Sequence, residues 1–181
     1  MHASLCDTIA DVVQNAIEAA ATRIELDVYT GSNAVMVTVR DNGKGMDAAH
    51  LRRACDPFYS EPGKHARRRV GLGLPLLMQM AEQTGGKADI QSAPGRGTTV
   101  SFRLDTTHLD TPPLGNLPVT LVGLMTFPGN YELAVTRRAD AAAYSVTRSE
   151  LAHALGNLEE AGNLSLARQY FESQEDGLNA E

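Results

Sequence analysis

Asp41-Asn42-Gly43-Lys44-Gly45-Met46 sits at the end of an alternating apolar run and opens a loop with two glycines. Just upstream, Val35, Val37 and Val39 alternate with polar neighbours. That alternation predicts a strand over Ala34 to Arg40 with one face on a core. Ile24, Leu26 and Val28 repeat the pattern, and Gly31-Ser32-Asn33 supplies a turn, so a partner strand is expected over Arg23 to Thr30. Further upstream, Leu5, Ile9, Val12, Val13 and Ala16 recur at helical spacing. They predict an amphipathic helix from Ser4 to Ala21, opened by a capping box of Ser4 and Asp7.

Working downstream, Ala48 to Ala54 reads as a short helix. Cys55 to Val70, with two prolines and a glycine, reads as a mobile loop. Helical spacing resumes over Gly71 to Thr84 and stops at Gly85-Gly86. Lys87 to Ser92 and Thr98 to Asp105 form a second expected hairpin. Thr106 to Leu117 contains Pro112-Pro113 and reads as a linker or extended crossing. Strands are expected at Val119 to Phe127, Tyr131 to Arg138 and Ala142 to Thr147. Helices are expected at Arg148 to Leu155 and Leu158 to Phe171, with a fraying end from Glu172 to Glu181. The chain thus divides into residues 1–105, a connection at 106–117, and a C-terminal β/α extension at 118–181.

Bulk properties narrow the classes. A chain of 181 residues with 43% hydrophobic content is long enough to bury a real core. A formal charge of -6 argues against non-specific nucleic-acid binding. The two cysteines, Cys6 and Cys55, have no metal-ligand spacing and read as reduced thiols. No apolar run reaches membrane-spanning length and no signal peptide is visible, so a cytoplasmic protein is expected.

Four local patterns carry chemistry. Asp11, Asn15 and Glu18 share one face of the first helix, where an amide oxygen beside carboxylates suits Mg²⁺. The same spacing also fits a solvated polar face. Asp41 at a strand end can accept a hydrogen bond from an adenine amino group, with Gly43 and Gly45 allowing close backbone approach. A plain Asp-Asn-Gly turn has the same sequence. Gly71-Leu72-Gly73-Leu74 opens a helix, and glycines there expose N–H groups to phosphate. Pro94-Gly95-Arg96-Gly97-Thr98 fits either a tight hairpin turn or a loop that brings the Thr98 hydroxyl to the base.

In this order the patterns resemble the ATP-binding superfamily of gyrase, heat-shock chaperone, histidine kinase and MutL. Asp11 to Glu18 resembles its asparagine box and Asp41 to Met46 its first glycine box. Asp56-Pro57-Phe58-Tyr59 resembles the phenylalanine box of histidine kinases. Gly71 to Leu74 and Gly95 to Thr98 resemble the later glycine boxes. The resemblance spans roughly residues 3 to 105. It implies an α/β two-layer sandwich of the Bergerat type: a mixed sheet with helices on one face, here with a C-terminal β-rich and α extension.

The resemblance also implies ATP and Mg²⁺ as cofactors. Asn15 would hold Mg²⁺, Asp41 would read adenine, and Gly43, Gly45, Met46 and Thr98 would line the base pocket. Gly71, Leu72, Gly73 and Leu74 would meet the phosphates. Asp56 to Val70 would form a lid that includes Phe58, with Lys64 and Arg67 as candidate phosphate contacts. Asp11 stands where gyrase-like and MutL-like members carry a glutamate, which makes it a candidate general base. The strand and helix that usually precede the asparagine box are replaced either by the C-terminal strands or by another chain.

Among the five histidines, His108 lies in a weak acceptor-like stretch, but Pro112-Pro113 disfavours a helix there. A complete self-phosphorylating histidine kinase is not expected. The leading expectation is a stand-alone ATP-binding regulatory module acting on a protein partner, as an anti-sigma-type kinase or a detached kinase module. The alternatives are a MutL-like ATP-hydrolysing clamp, with a homodimer as candidate assembly, and a non-catalytic nucleotide sensor. Thr106 to Gly115 also faintly resembles the tails of ATP-binding proteins of iron-only hydrogenase systems.

Overall fold

A computed structural model describes residues 4–56, 73–158 and 160–178 of the chain. Its first helix, α1 (Leu5–Glu18), starts where the sequence places its cap. The Ser4 hydroxyl accepts the Asp7 N–H at 3.3 Å, and the Asp7 carboxylate accepts the Ser4 N–H at 2.9 Å. Two further first-turn donors, the N–H groups of Leu5 and Cys6, reach the carbonyls of Pro113 and Leu114 at 2.9 Å each.

Strands β1 (Arg23–Thr30) and β2 (Ala34–Asp41) form the expected hairpin, with Leu26 opposite Val39 and Val28 opposite Val37. The short helix α2 (Ala48–Ala54) begins at an Asp47 cap. Helix α3 (Gly73–Gln83) leads into β3 (Lys87–Ala93) and β4 (Gly97–Asp105), which pair antiparallel. After β4 come α4 (Leu117–Thr126), β5 (Glu132–Ala139), β6 (Ala142–Thr147), α5 (Arg148–Leu155) and α6 (Ala161–Leu178).

The strands make one six-stranded sheet in the order β3-β4-β2-β1-β5-β6. The β1–β5 pairing is parallel and the other four are antiparallel, so the sheet is mixed. Its buried rows, such as Val100, Val39, Leu26 and Val135 in register, face the helices. The opposite face carries polar side chains, including an Arg40–Asp27 ion pair at 3.0 Å. On the helix side, α1 touches α3 and α4, and α4 touches α6. This is the two-layer α/β architecture the sequence implies. The place beside β1 and α1 is taken by β5 and α4 of the same chain.

One element differs in kind. Val119 to Phe127, expected as a strand, lies mostly within helix α4. The Asn116 side chain accepts the Val119 N–H at 3.0 Å, and Pro118 sits in the first turn, where its missing N–H does no harm. Leu117, Leu121, Leu124 and Met125 are buried at helical spacing. Each contributes about 1.5–3 kcal/mol by that burial, more than the β-preference of Val119, Thr120 and Val122 can oppose.

The last helix also corrects an expectation. It starts at Ala161 and continues through Leu178, where a frayed end was expected from Glu172. Its continuation is held by the buried Arg137, which pairs with Glu175 at 3.2 Å, and by the Tyr144 hydroxyl, which donates to Glu175 at 2.8 Å. Burial beside that carboxylate pushes the Tyr144 pKa strongly up, so the phenol stays a donor.

Candidate functional site

Asp41 ends β2 opposite Ile24, so its side chain belongs to the helix-facing row. Its Oδ1 accepts the Gly43 N–H at 2.7 Å, and the Thr98 N–H donates to the same carboxylate. Burial pushes the Asp41 pKa up, and these two hydrogen bonds oppose the rise. A carboxylate has about four acceptor sites, so this one retains capacity for a ligand amino group.

The loop after Asp41 is fixed on three sides. The Asn42 side chain accepts the N–H groups of Thr22 and Arg23 at 2.9 and 2.8 Å and donates to the Thr22 hydroxyl at 3.0 Å. The Lys44 N–H reaches the Ala19 carbonyl at 2.9 Å, and the Gly95 N–H reaches the Lys44 carbonyl at 2.8 Å. The Met46 N–H donates to the Ser92 hydroxyl at 2.8 Å.

Two glycines make this approach possible. Gly45 has φ +64, and a Cβ there would lie 1.9 Å from the Ala93 carbonyl oxygen. Gly97 has φ +82, and a Cβ there would lie 1.9 Å from the Asp41 carbonyl oxygen. No side chain fits at either position. The first glycine loop and the 94–97 turn are therefore packed backbone against backbone beside Asp41.

Asn15 and Asp11 lie one turn apart on α1. The Ala19 N–H bonds the Asn15 carbonyl at 2.9 Å, which joins their helix end to the Lys44 contact just described. Gly73, the first residue of α3, faces both side chains. A Cβ there would stand 3.6 Å from Asp11 Oδ2 and 3.8 Å from Asn15 Nδ2. The start of α3 thus abuts an amide and a carboxylate. Oxygen donors of this kind suit a hard cation, and a helix N-terminus suits phosphate.

Of the residues singled out by sequence, the structure gathers Asp41, Gly43, Gly45, Met46 and Thr98 around one pair of loops. It brings Asp11, Asn15 and Gly73 together at the α1–α3 contact. Leu74 is half-buried and packs against the core. Phe58, Lys64, Arg67, Gly71 and Leu72, with most of the expected lid, lie outside the described residues. Two contributors were missed. Asn42 was visible only as a turn residue, and Ser92 only as the last polar position of a strand, so neither showed the bonds it makes.

Among the described residues, no group of three His, Cys, Asp or Glu side chains could hold a metal, and no helix is long and apolar enough to cross a membrane. Cys6 is buried, which raises its pKa and keeps it a thiol.

The stretch that carries these loops is shared with known proteins. The chain is 34% identical over 98 residues to the sensor histidine kinase YxdK of Bacillus subtilis, covering 52% of this chain and 30% of that protein. It is 39% identical over 74 residues to the sensor histidine kinase ZraS of Klebsiella oxytoca, covering 41% and 15%. It is 34% identical over 103 residues to the sensor protein kinase FleS of Pseudomonas aeruginosa, covering 56% and 25%. The matched stretch spans under a third of each of these relatives. A family model described as histidine kinase-, DNA gyrase B-, and HSP90-like ATPase matches residues 2–108, the stretch that contains every site residue above. The chain belongs to this family of histidine kinase-, DNA gyrase B- and HSP90-like ATPases.

Proposed function

We propose that this chain is an ATP- and Mg²⁺-binding regulatory module that acts on a protein partner. The observation that carries this is the pairing of two half-sites at the C-terminal end of α1. Asp41, between the Gly43 and Thr98 N–H groups, suits a base, and Asn15, against the start of α3, suits a cation and phosphates. At Gly73 the space a Cβ would take is open beside the Asp11 carboxylate and the Asn15 amide, and this oxygen-bearing donor set fits a metal-bound nucleotide phosphate.

When bound, Mg-ATP supplies a transferable phosphoryl group with its charge partly neutralised by the metal. In this proposal Asp41 orients the base through its amino group. The Gly43–Met46 backbone excludes water from one side of the base. Asn15 holds the cation, and the α3 N-terminus stabilises phosphate oxygens.

Nucleotide titrations with and without Mg²⁺ test the assignment. Asp41→Asn is expected to remove the preference for adenine, and Asn15→Ala to remove mainly the metal's contribution. Equal, metal-independent binding by all three proteins would defeat it. Transfer of label from γ-labelled ATP to a second protein is the outcome expected of a kinase module.

A second reading, an ATP-hydrolysing clamp, is favoured by one observation: Asp11 stands at the same α1–α3 contact as Asn15, within reach of a group bound there. Steady phosphate release that Asp11→Asn abolishes would select it. Fold membership does not by itself choose between these outcomes.

A further inference from the structure

Ser92 lies outside the glycine loops, yet its hydroxyl touches three groups of the loop pair beside Asp41. It accepts the Met46 N–H at 2.8 Å, donates to the Gly97 carbonyl at 3.1 Å and lies 2.9 Å from the Thr98 hydroxyl. A serine hydroxyl has one proton and two lone pairs. The Gly97 carbonyl can only accept, so it takes the Ser92 proton. Met46 occupies one lone pair. The Thr98 hydroxyl must then donate to the other. This is the single arrangement in which all three contacts hold at once, and it leaves Thr98 with only lone pairs to offer a ligand.

In the β2–β4 ladder Val39 pairs with Val100 and Arg40 with Thr99, so the next step sets Thr98 across from Asp41 on the helix-facing row. We propose that Ser92 is a specificity-determining positioning residue: by taking the Thr98 proton it keeps Thr98 an acceptor next to Asp41, and the acceptor pair selects a 6-amino purine over a 6-oxo purine. This rests on the nucleotide site proposed above. An exocyclic amino group brings two N–H donors to such a pair. An oxo group brings lone pairs and leaves acceptors facing acceptors, which costs more than a hydrogen bond gained returns. Without the Ser92 oxygen, the Thr98 proton can rotate toward an oxo group.

The test is calorimetric titration of the full chain with ATP and with inosine triphosphate, both with Mg²⁺. The native protein is expected to prefer ATP. Ser92→Ala is expected to narrow the ratio of the two affinities about tenfold, the scale of one hydrogen bond. Ser92→Thr, which keeps the hydroxyl, should restore it. Thr98→Val removes the oriented acceptor itself and should narrow the ratio too, so the proposal remains readable if Ser92→Ala does not fold. An unchanged ratio in Ser92→Ala, or equal weakening of both nucleotides, overturns the role of Ser92 while leaving ATP binding intact. Failure of the native chain to bind either nucleotide overturns the proposed function and this inference with it.

Discussion

Gly73→Ala places one methyl group between the start of α3 and the polar face of α1. Its carbon would stand 3.5 Å from Asp11 Cβ, 3.6 Å from Asp11 Oδ2 and 3.8 Å from Asn15 Nδ2. These are ordinary van der Waals separations, and Gly73 is not among the glycines with positive φ. The folded chain can therefore take the methyl without strain. Alanine loses less backbone freedom than glycine on entering a helix, by about 0.5–1 kcal/mol. In a chain of this size that raises Tm by roughly 1–4 °C. Ligand binding moves the other way. In the proposed site, phosphate oxygens on the first turn of α3 and a cation on Asn15 would need the space the methyl fills. Losing one hydrogen bond to a charged oxygen removes about 1.5–3 kcal/mol, so Mg-ATP affinity should fall roughly 10- to 100-fold. Thermal melting and titration calorimetry on the same preparation measure both effects. A lowered Tm, or unchanged affinity in a stable variant, would refute the placement of the phosphates at this contact.

At Gly97 the same substitution should behave differently. Its Cβ would overlap the Asp41 carbonyl at a φ of +82, so Gly97→Ala should lose about 2–4 kcal/mol of stability, and a native-like urea midpoint would contradict the packing described. Asp41 gives a pH prediction. Its pKa is raised by burial, with the Gly43 and Thr98 N–H bonds opposing, and only the ionised carboxylate accepts fully from an amino group. Adenine-nucleotide affinity should be complete at neutral pH and fall on acidification earlier than an ordinary carboxylate would allow. Asp41→Asn should flatten the profile, and a native profile that is already flat would count against this residue. Arg137 and Glu175 form an ion pair with side chains only 4% and 15% exposed. Arg137→Leu removes the cation from the Glu175 carboxylate, which keeps the Tyr144 hydroxyl, and should cost about 3–5 kcal/mol in urea unfolding, and a loss below about 1 kcal/mol would show that the pair does not pin α6.

The nucleotide half of the fold was legible because its signals are local and agree with one another. Alternating valines, a Ser4–Asp7 cap and glycines at turn positions all specify the same elements. The α4 segment was misread because Val119, Thr120 and Val122 favour a strand on composition. Its helical identity depends on Asn116, Pro118 and burial against α1 and α6, which composition does not show. The end of α6 was underestimated for a similar reason. Glu175 looks like a solvated residue in sequence, and only the parallel placement of β5 brings Arg137 to it. At the site, residue types were readable but their bonds were not. Ser92 and Asn42 act through contacts to Met46 and Thr22, far from them along the chain.

The parallel join between β1 and β5 sets Arg23 beside Glu132, more than a hundred residues later. Closing so large a loop is entropically slow, and no neighbouring turn assists it. During synthesis, β2 follows directly behind β1 and can pair along one side, while the other edge of β1 waits for the last third of the chain. Until then, that edge presents unpaired amide and carbonyl groups to any passing strand. Maturation of the sheet is thus timed by completion of the C-terminal region, and yield on expression should respond to changes in β5 far more than its distance from the glycine loops would indicate.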